Sequence, residues 1–217
     1  DLRKQLSLAG PMSMYVGNLE SYQGIDLLLE THQFTLREVP DAELVVIGGR
    51  EVHIAHYRQR AQQLGIADRT HFTGPRPKEQ LGFFLRQADV LVSPRIKGNN
   101  TPMKIYSYLD SRRPVLATHL STHTQVLDKD IAYLAEPLPA TMAQGLVTLL
   151  RDPDLRELLA TKAKVRIDEE YSPAAFTRKL NTFYHSLEVA IHSQPAPAST
   201  TETAPGPPTT NDKTVER

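Results

Sequence analysis

The chain has 217 residues, 40% of them hydrophobic, and its 25 basic and 25 acidic residues give a formal net charge of zero. This apolar content supports one sizeable core, while the balanced charge gives no sign of a nucleic-acid partner. The lack of cysteine excludes disulfide bonds, thiol nucleophiles and cysteine-bound zinc. The longest apolar runs, such as LVVIGG, are too short to cross a bilayer, so no transmembrane segment is expected.

Short apolar strands alternate with amphipathic helices along the chain. The expected strands are Ser13–Gly17, Glu43–Gly49, Thr70–Gly74, Val90–Ser93, Pro114–Thr118 and Ile131–Ala135. The expected helices are Ile25–Glu38, a helix that aligns Ile54, Tyr57, Ala61 and Leu64, Lys78–Ala88, a helix that follows the turn Gly98–Pro102, and three closing helices. The last closing helix aligns Phe176, Leu180, Phe183, Tyr184 and Leu187. This alternation predicts an α/β fold of parallel βαβ units, with helices on both faces of the sheet.

One domain is expected over residues 1–192. The remaining residues, 193–217, are rich in proline, serine and threonine and have few large apolar side chains. Such a segment cannot offset the entropy of its ordering by burial, so we expect a disordered tail.

The expected strand order points to two loops. In a doubly wound, Rossmann-like six-stranded sheet of order 3-2-1-4-5-6, strands 1 and 4 are neighbours, and ligands bind at their carboxyl ends. The loops that follow those ends are GNLESYQG, Gly17–Gly24, and PRIKGNNTP, Pro94–Pro102. We therefore expect the functional site in the crevice between them.

Positive charge is concentrated around the second loop. Arg95 and Lys97 precede a turn, and Lys104 lies in the expected first turn of the next helix, where a cation opposes the helix dipole by about 0.3–1 kcal/mol. Thr101 is a suitable N-cap and Pro102 a suitable first helical residue, which would direct the next unpaired backbone N–H groups into the crevice. The backbone at Thr101 to Met103 would then hold the anion. A bound phosphate or diphosphate would explain this arrangement. The alternative is a set of ordinary solvated cations.

Other common sites are not indicated. The loop after strand 1 lacks the G-x-G-x-x-G fingerprint, and no Walker A motif is present, so NAD or FAD binding is not expected. His119 and His123 have no carboxylate within four residues, which favours loop histidines over metal ligands, and no metal site is predicted. Polar contacts to a bound sugar are the remaining expected role for Thr122, His123 and Thr124.

Several segments taken together resemble a known family. These are YVGNLESYQGIDLLLE, PDAELVVIGG, HFTG, LRQADVLVSPR, TPMKIYSYLDSRRPVLAT and EEYSPAAFTRKLNTFY. Their order resembles the C-terminal domain of family 4 (group 1) glycosyltransferases over about Met14 to Leu187. The resemblance implies a retaining enzyme of two facing Rossmann-like domains, in which this half holds the nucleotide-sugar donor. The family's donor diphosphate rests at the start of the helix after strand 4, where the residues already indicate an anion site.

The resemblance and the cation cluster together suggest two sets of site residues. The donor diphosphate is assigned to Arg95, Lys97, Gly98, Thr101, Met103 and Lys104. Contacts to the ribose, base or sugar are assigned to Gly17, Asn18, Gln23, Arg76, Asn99 and Ser107. No catalytic residue is assigned.

The sequence departs from the family pattern at several positions. Many members carry an arginine and a lysine where this chain has Asn18 and Gln23, and a ribose-binding glutamate where it has Ser107. A second family glutamate falls near Lys97–Asn99, where no acid occurs. We favour a divergent, functional branch with a rearranged site. The alternatives are a non-catalytic partner or regulatory module, and a nucleotide-sugar epimerase of the same architecture.

The implied activity is transfer of a sugar, with retention, from a nucleotide-diphosphate sugar to an unknown acceptor. The donor is a substrate, so no cofactor is expected. An acceptor-binding domain is expected upstream of Asp1, and this chain alone is expected to be inactive without it. We expect a cytoplasmic location, with any attachment to the inner membrane face made through that upstream domain.

Overall fold

A computed structural model of the chain describes residues 1–192. Within these residues, six strands form one parallel sheet in the order β3-β2-β1-β4-β5-β6, which confirms the predicted doubly wound topology. The strands are β1 Met12–Val16, β2 Glu43–Ile47, β3 Thr70–Gly74, β4 Val90–Ser93, β5 Val115–Thr118 and β6 Tyr133–Ala135. The switch point therefore lies between β1 and β4, as expected.

Helices cover both faces of the sheet. The α-helices are α1 Leu2–Gln5, α2 Ile25–Glu38, α3 Glu51–Gln63, α4 Leu81–Leu85, α5 Lys104–Asp110, α6 Ser121–Thr124, α7 Pro139–Arg151, α8 Pro153–Arg166 and α9 Pro173–His192. Short 3-10 turns occupy Ser21–Gln23, Ala67–Arg69 and Lys78–Gln80, and a π-helical turn spans Ile167–Tyr171. Among the described helices, none is both long and apolar enough to span a membrane.

Successive side chains of each strand enter two different cores. In β1, Tyr15 packs in the core that includes α2, α3 and α7, whereas Met12 and Met14 pack in the core that includes α4 and α5. All three side chains are fully buried. The near-continuous apolar runs of the central strands follow from this burial on both faces.

The chain divides into two compact units. The first, residues 1–176, contains the sheet and both cores. The second begins at Thr177, and its described residues 177–192 belong to α9. Leu180, Phe183, Tyr184 and Leu187 of this helix are 37% to 56% exposed. The predicted disordered tail, residues 193–217, lies outside the described residues.

Two elements are shorter than predicted. The expected helix Lys78–Ala88 is a 3-10 turn followed by α4, because Gln80, at φ −95° and ψ 0°, departs from α-helical geometry. The sixth strand begins only at Tyr133, because the N–H groups of Ile131 and Ala132 bond to the Asp128 carbonyl in a turn. Helices α1 and α6 were not predicted, since four residues are too few to show helical periodicity.

Candidate functional site

Glycines close the carboxyl ends of β1 and β2. The N–H of Gly17 donates to the Ile47 carbonyl at 3.0 Å, and Gly48 has a φ of +108°. A Cβ on Gly48 would lie 2.2 Å from the Gly17 carbonyl oxygen. We call Gly17 and Gly48 the glycine seam. The two backbones meet there directly, which no larger residue at position 48 would permit.

A cavity of about 370 Å³ opens beside the glycine seam. Its lining includes Asn18, Gly49, Arg76 and Phe84 as well as the seam itself. The Arg76 guanidinium carbon lies 5.9 Å from the centre of the Phe84 ring. Its Nε is buried and has no hydrogen-bond partner among the described residues. An apolar cavity with one unused donor suits a flat ligand that carries hydrogen-bond acceptors. The predicted contacts Gly17, Asn18 and Arg76 thus share one cavity.

Lys104 lies next to the same seam. Its Nζ is 3.1 Å from the place that a Cβ on Gly17 would occupy and 3.9 Å from the centre of the Tyr15 ring. It donates to Gln23 Oε1 at 3.1 Å. Burial, and secondly the nearby Arg95, lower the pKa of Lys104 to about 7. No carboxylate pairs with this half-buried ammonium in the described part of the chain, so an anion would be a favourable neighbour.

The loop after β4 is organised around Arg95. This side chain is buried, and its Nε donates to the Lys97 carbonyl at 2.6 Å, while its terminal nitrogens lie 3.4 Å from the carbonyl and side-chain oxygens of Asn100. The guanidinium carbon lies 5.3 Å from the centre of the Tyr22 ring. A Cβ on Gly98, whose φ is +138°, would clash with this guanidinium. Arg95 therefore contributes its charge to the site while its N–H groups stabilise the loop. A direct contact with a diphosphate stays a prediction.

Helix α5 begins later than predicted. Its first residue is Lys104, and no side chain of residues 1–192 caps it. The expected cap, Thr101, donates instead to Gln125 Oε1 at 3.3 Å. Pro102 lies before the helix in a turn, closed by a 2.9 Å bond from the Ile105 N–H to the Pro102 carbonyl. The predicted N-cap and first helical position are therefore wrong. Since α5 has only seven residues, the site's positive potential must come mainly from side chains and loop amides.

The remaining predicted residues are exposed or line a different cavity. Lys97, Gly98 and Asn99 are on the exposed part of the loop, and Met103 is 78% exposed. Met103 and Ser107 line a second cavity, of about 650 Å³, in residues 103–173. The structure thus brings Gly17, Gln23 and Lys104 together, and the ribose contact of Ser107 stays a prediction.

The expected sugar contacts of Thr122 and His123 are wrong, because both side chains are buried and bonded within the protein. His123 Nε2 lies 2.9 Å from Ser93 Oγ, and its Nδ1 lies 2.9 Å from the Thr118 carbonyl. Thr122 donates to the Asn100 carbonyl at 2.7 Å. Burial lowers the pKa of His123 to about 4. Among the described residues, no cluster of three or more potential metal-binding side chains occurs.

Two aromatic rings and one supporting segment of the site were not predicted from the sequence. Tyr15 was read as part of a buried strand and Tyr22 as part of a polar loop, yet their rings lie against Lys104 and Arg95. Tyr15 lies two residues before the loop Gly17–Gly24 and Tyr22 lies within it, and this position at the switch point is the signal that could have found them. The residues of α6 were read as a loop.

Comparison with known families identifies the chain's relatives. Residues 10–152 match the family model described as "Glycosyl transferases group 1". The D-inositol 3-phosphate glycosyltransferase of Corynebacterium diphtheriae is 28% identical over 177 residues, which cover 78% of this chain and 41% of that protein. The α-D-kanosaminyltransferase of Streptomyces kanamyceticus is 23% identical over 190 residues, which cover 86% of this chain and 49% of that protein. The chain spans less than half the length of either relative.

Solved structures share the fold. Anabaena HepE in complex with UDP has a TM-score of 0.75 at 16% identity, covering 85% of this chain and 51% of that one. The C-terminal domain of LpcC, a group 1 glycosyl transferase family protein from Francisella tularensis, has a TM-score of 0.68 at 21% identity. That match covers 78% of this chain and 91% of the other.

Proposed function

Because the chain belongs to the glycosyl transferases group 1 family, we propose that it is the donor-binding half of a retaining glycosyltransferase, a divergent member of family 4. One observation carries this proposal. The half-buried Lys104 ammonium lies at the switch point beside Gly17 and has an amide, Gln23, as its hydrogen-bond partner. A cation held without an acid, where an α/β sheet binds its ligands, suits a nucleoside diphosphate.

The donor would extend from the cavity to the loop after β4. Its base would occupy the cavity near Arg76 and Phe84, where the unused Arg76 Nε can donate to a ring acceptor. Its diphosphate would lie against Gly17 and Lys104 and reach the loop Arg95–Thr101. The UDP complex of HepE, which has the same fold, supports this class of ligand.

The chemistry that this half would supply is electrostatic. In glycosyl transfer the bond between the anomeric carbon and the leaving phosphate oxygen breaks, and its electron pair stays on that oxygen. The acceptor oxygen bonds to the anomeric carbon on the same face, and its proton passes to the leaving diphosphate. Lys104 and the loop amides would stabilise the negative charge that develops on the diphosphate. The acceptor must be positioned alongside the donor.

The acceptor site is proposed to lie in a further part of the protein. The chain spans 41% and 49% of the two curated relatives above, so we propose that transfer requires a second, acceptor-binding domain. The acceptor, the sugar and the base are not assigned. We propose a cytoplasmic location, which the cysteine-free sequence fits, with any membrane contact made through the second domain.

Calorimetric titration of the chain tests donor binding. We expect one of UDP, GDP and ADP to bind at least about tenfold more tightly than its nucleoside, because a charge-assisted contact contributes about 1.5–3 kcal/mol. Raising the salt concentration should weaken the binding of the nucleoside diphosphate and leave the affinity for the nucleoside nearly unchanged. Equal affinities for each diphosphate and its nucleoside would contradict the proposal and favour a non-catalytic module that has lost the site.

A further inference from the structure

The segment Thr118–Gln125 makes hydrogen bonds to the loop Arg95–Thr101. It runs from the end of β5 through α6, and we call it the support segment. We infer that two of its residues, Thr122 and Gln125, are positioning residues that hold the loop Arg95–Thr101 with its amide groups turned toward the donor diphosphate. The inference rests on the proposed function and goes beyond it, because both residues would act through the loop that they hold.

Two side chains of the support segment hold neighbouring carbonyl groups of the loop. Thr122 Oγ1 donates to the Asn100 carbonyl at 2.7 Å, and Gln125 Nε2 donates to the Asn99 carbonyl at 2.8 Å. The Gln125 side chain also accepts from Thr101 Oγ1 at 3.3 Å. Three consecutive loop residues are therefore tied to one short helix and the residue that follows it.

These bonds determine where the loop amides point. In a planar trans peptide the carbonyl and the following N–H lie on opposite sides of the chain. Because the carbonyls of Asn99 and Asn100 face the support segment, the N–H groups of Asn100 and Thr101 face away from it. No hydrogen bond of the described residues uses either of these N–H groups. Two adjacent N–H groups that face away from the support segment can donate to phosphate oxygens.

The support segment is itself anchored to the ends of β4 and β5. His123, which is fully buried, lies 2.9 Å from Ser93 Oγ and 3.0 Å from Thr118 Oγ1. Thr118 Oγ1 donates to the Arg95 carbonyl at 2.6 Å, at the start of the loop. The loop thus receives support at both ends from a segment that the sheet fixes in place.

Substitution of Gln125 tests a positioning role separately from a role in core packing. Its side chain is exposed and contributes little to the core, yet both of its amide atoms bond to the loop. Replacing it should alter the loop without altering the core. Thr122 is buried, so its replacement by the isosteric valine removes only the hydroxyl.

Titration of the full 217-residue chain with inorganic diphosphate, followed by amide NMR, tests the inference. In the wild type we expect the resonances of Asn100 and Thr101 to shift on binding. In Gln125→Met and in Thr122→Val we expect the dissociation constant to rise about three- to tenfold and those shifts to shrink. The best-binding nucleoside of the calorimetric series should keep its affinity, which general structural damage would not allow. Thr122→Ser should restore binding.

Thr148→Val is the matched control. Thr148 also donates to a carbonyl, that of Gln144 at 2.8 Å, but it does so within α7. This control should bind inorganic diphosphate as the wild type does. If Thr122→Val does not fold, the exposed Gln125→Met decides the outcome.

The outcomes separate this inference from the proposed function. If the wild type binds neither inorganic diphosphate nor any of the three nucleoside diphosphates, the proposed function fails and the inference falls with it. If the wild type binds diphosphate and both variants bind it equally well, only the inference is overturned. Loss of nucleoside and diphosphate binding in equal measure would likewise overturn it, because that result indicates a structural role.

Discussion

The Nζ of Lys104 donates a hydrogen bond to Oε1 of Gln23 at 3.1 Å, so a neutral amide holds this ammonium where a carboxylate would neutralise it. Gln23 is itself buried. The bond uses one of the lysine's three donors and does not cancel its charge, which leaves that charge available to a bound anion.

Gln23→Glu should convert the anion site into a buried ion pair. The change keeps the side chain's size but places a negatively charged carboxylate beside Lys104. We expect the affinity for nucleoside diphosphates to fall at least about tenfold, because the added charge both repels phosphate and occupies the lysine. The melting temperature of the ligand-free protein should stay equal or rise. Calorimetry and thermal unfolding measure the two effects.

Gln59→Glu is the matched control for this change. Gln59 is exposed on α3, away from the switch point, and its substitution adds the same charge. It should leave diphosphate affinity unchanged. If Gln23→Glu binds nucleoside diphosphates as tightly as the wild type does, Lys104 is not the anion contact.

Lys104→Met should reduce the dependence of stability on alkaline pH. The pKa of Lys104 is lowered from 10.5 to about 7 by burial and by Arg95. Between these two values the unfolded chain binds a proton that the folded chain does not, so the wild type gains stability as pH rises from about 7. In Lys104→Met this gain should be smaller by about 2 kcal/mol between about pH 7 and 9.5, after allowance for partial exposure.

Urea unfolding at several pH values measures this difference. The exposed Lys97→Met serves as the control for loss of a cation from the same region. Lys104→Met should also lose diphosphate affinity, while Lys97→Met should lose less. Parallel stability curves for the wild type and Lys104→Met would contradict a lowered pKa for Lys104.

Mild acid should destabilise the protein through two buried histidines. Burial lowers the pKa of His32 and of His123 to about 4 from the ordinary 6.5. As pH falls from about 6.5 to 4, the unfolded chain takes up protons that the folded chain excludes, so stability is lost by up to about 1.4 kcal/mol per pH unit for each histidine. His32→Gln, which can still donate to the Arg69 carbonyl, should reduce this slope in urea unfolding. An unchanged slope in that variant would count against the assignment to His32.

Arg112→Gly should stabilise the fold. Arg112 follows the C-cap of α5 with a φ of +57°, a conformation that glycine adopts at no steric cost. None of the ion pairs among the described residues involves Arg112. We expect a gain of about 0.5–1 kcal/mol, or about 1–4 °C in melting temperature. Arg113→Gly, which removes a hydrogen bond to the Arg86 carbonyl, should lower the melting temperature instead. Equal effects of the two changes would show that the φ of Arg112 carries no strain.

The strands could be located because burial on both sheet faces leaves apolar runs that are visible in the sequence. Their alternation with helices indicates a parallel, doubly wound sheet, whose strand order is known. The location of the site followed from the same topology, since the crevice lies where the winding reverses. The start of α5 could not be predicted, because local preferences favoured Thr101 as an N-cap while its hydroxyl bonds instead to Gln125, 24 residues away. The role of α6 could not be predicted for the same reason. Its contacts are made to residues more than 20 positions away in the sequence, so they leave no periodic pattern.

The glycine seam has a consequence for how the crevice responds to ligands. Where the Gly17 and Gly48 backbones touch, there are no side-chain rotamers to restrict when a ligand enters. The floor of the crevice therefore loses no side-chain entropy on binding, because the entropy cost of ordering it is incurred during folding. Adaptation is left to long side chains at the rim, such as Arg76 and Lys104. Discrimination between ligands should then depend on rim chemistry, with the backbone acting as a fixed template.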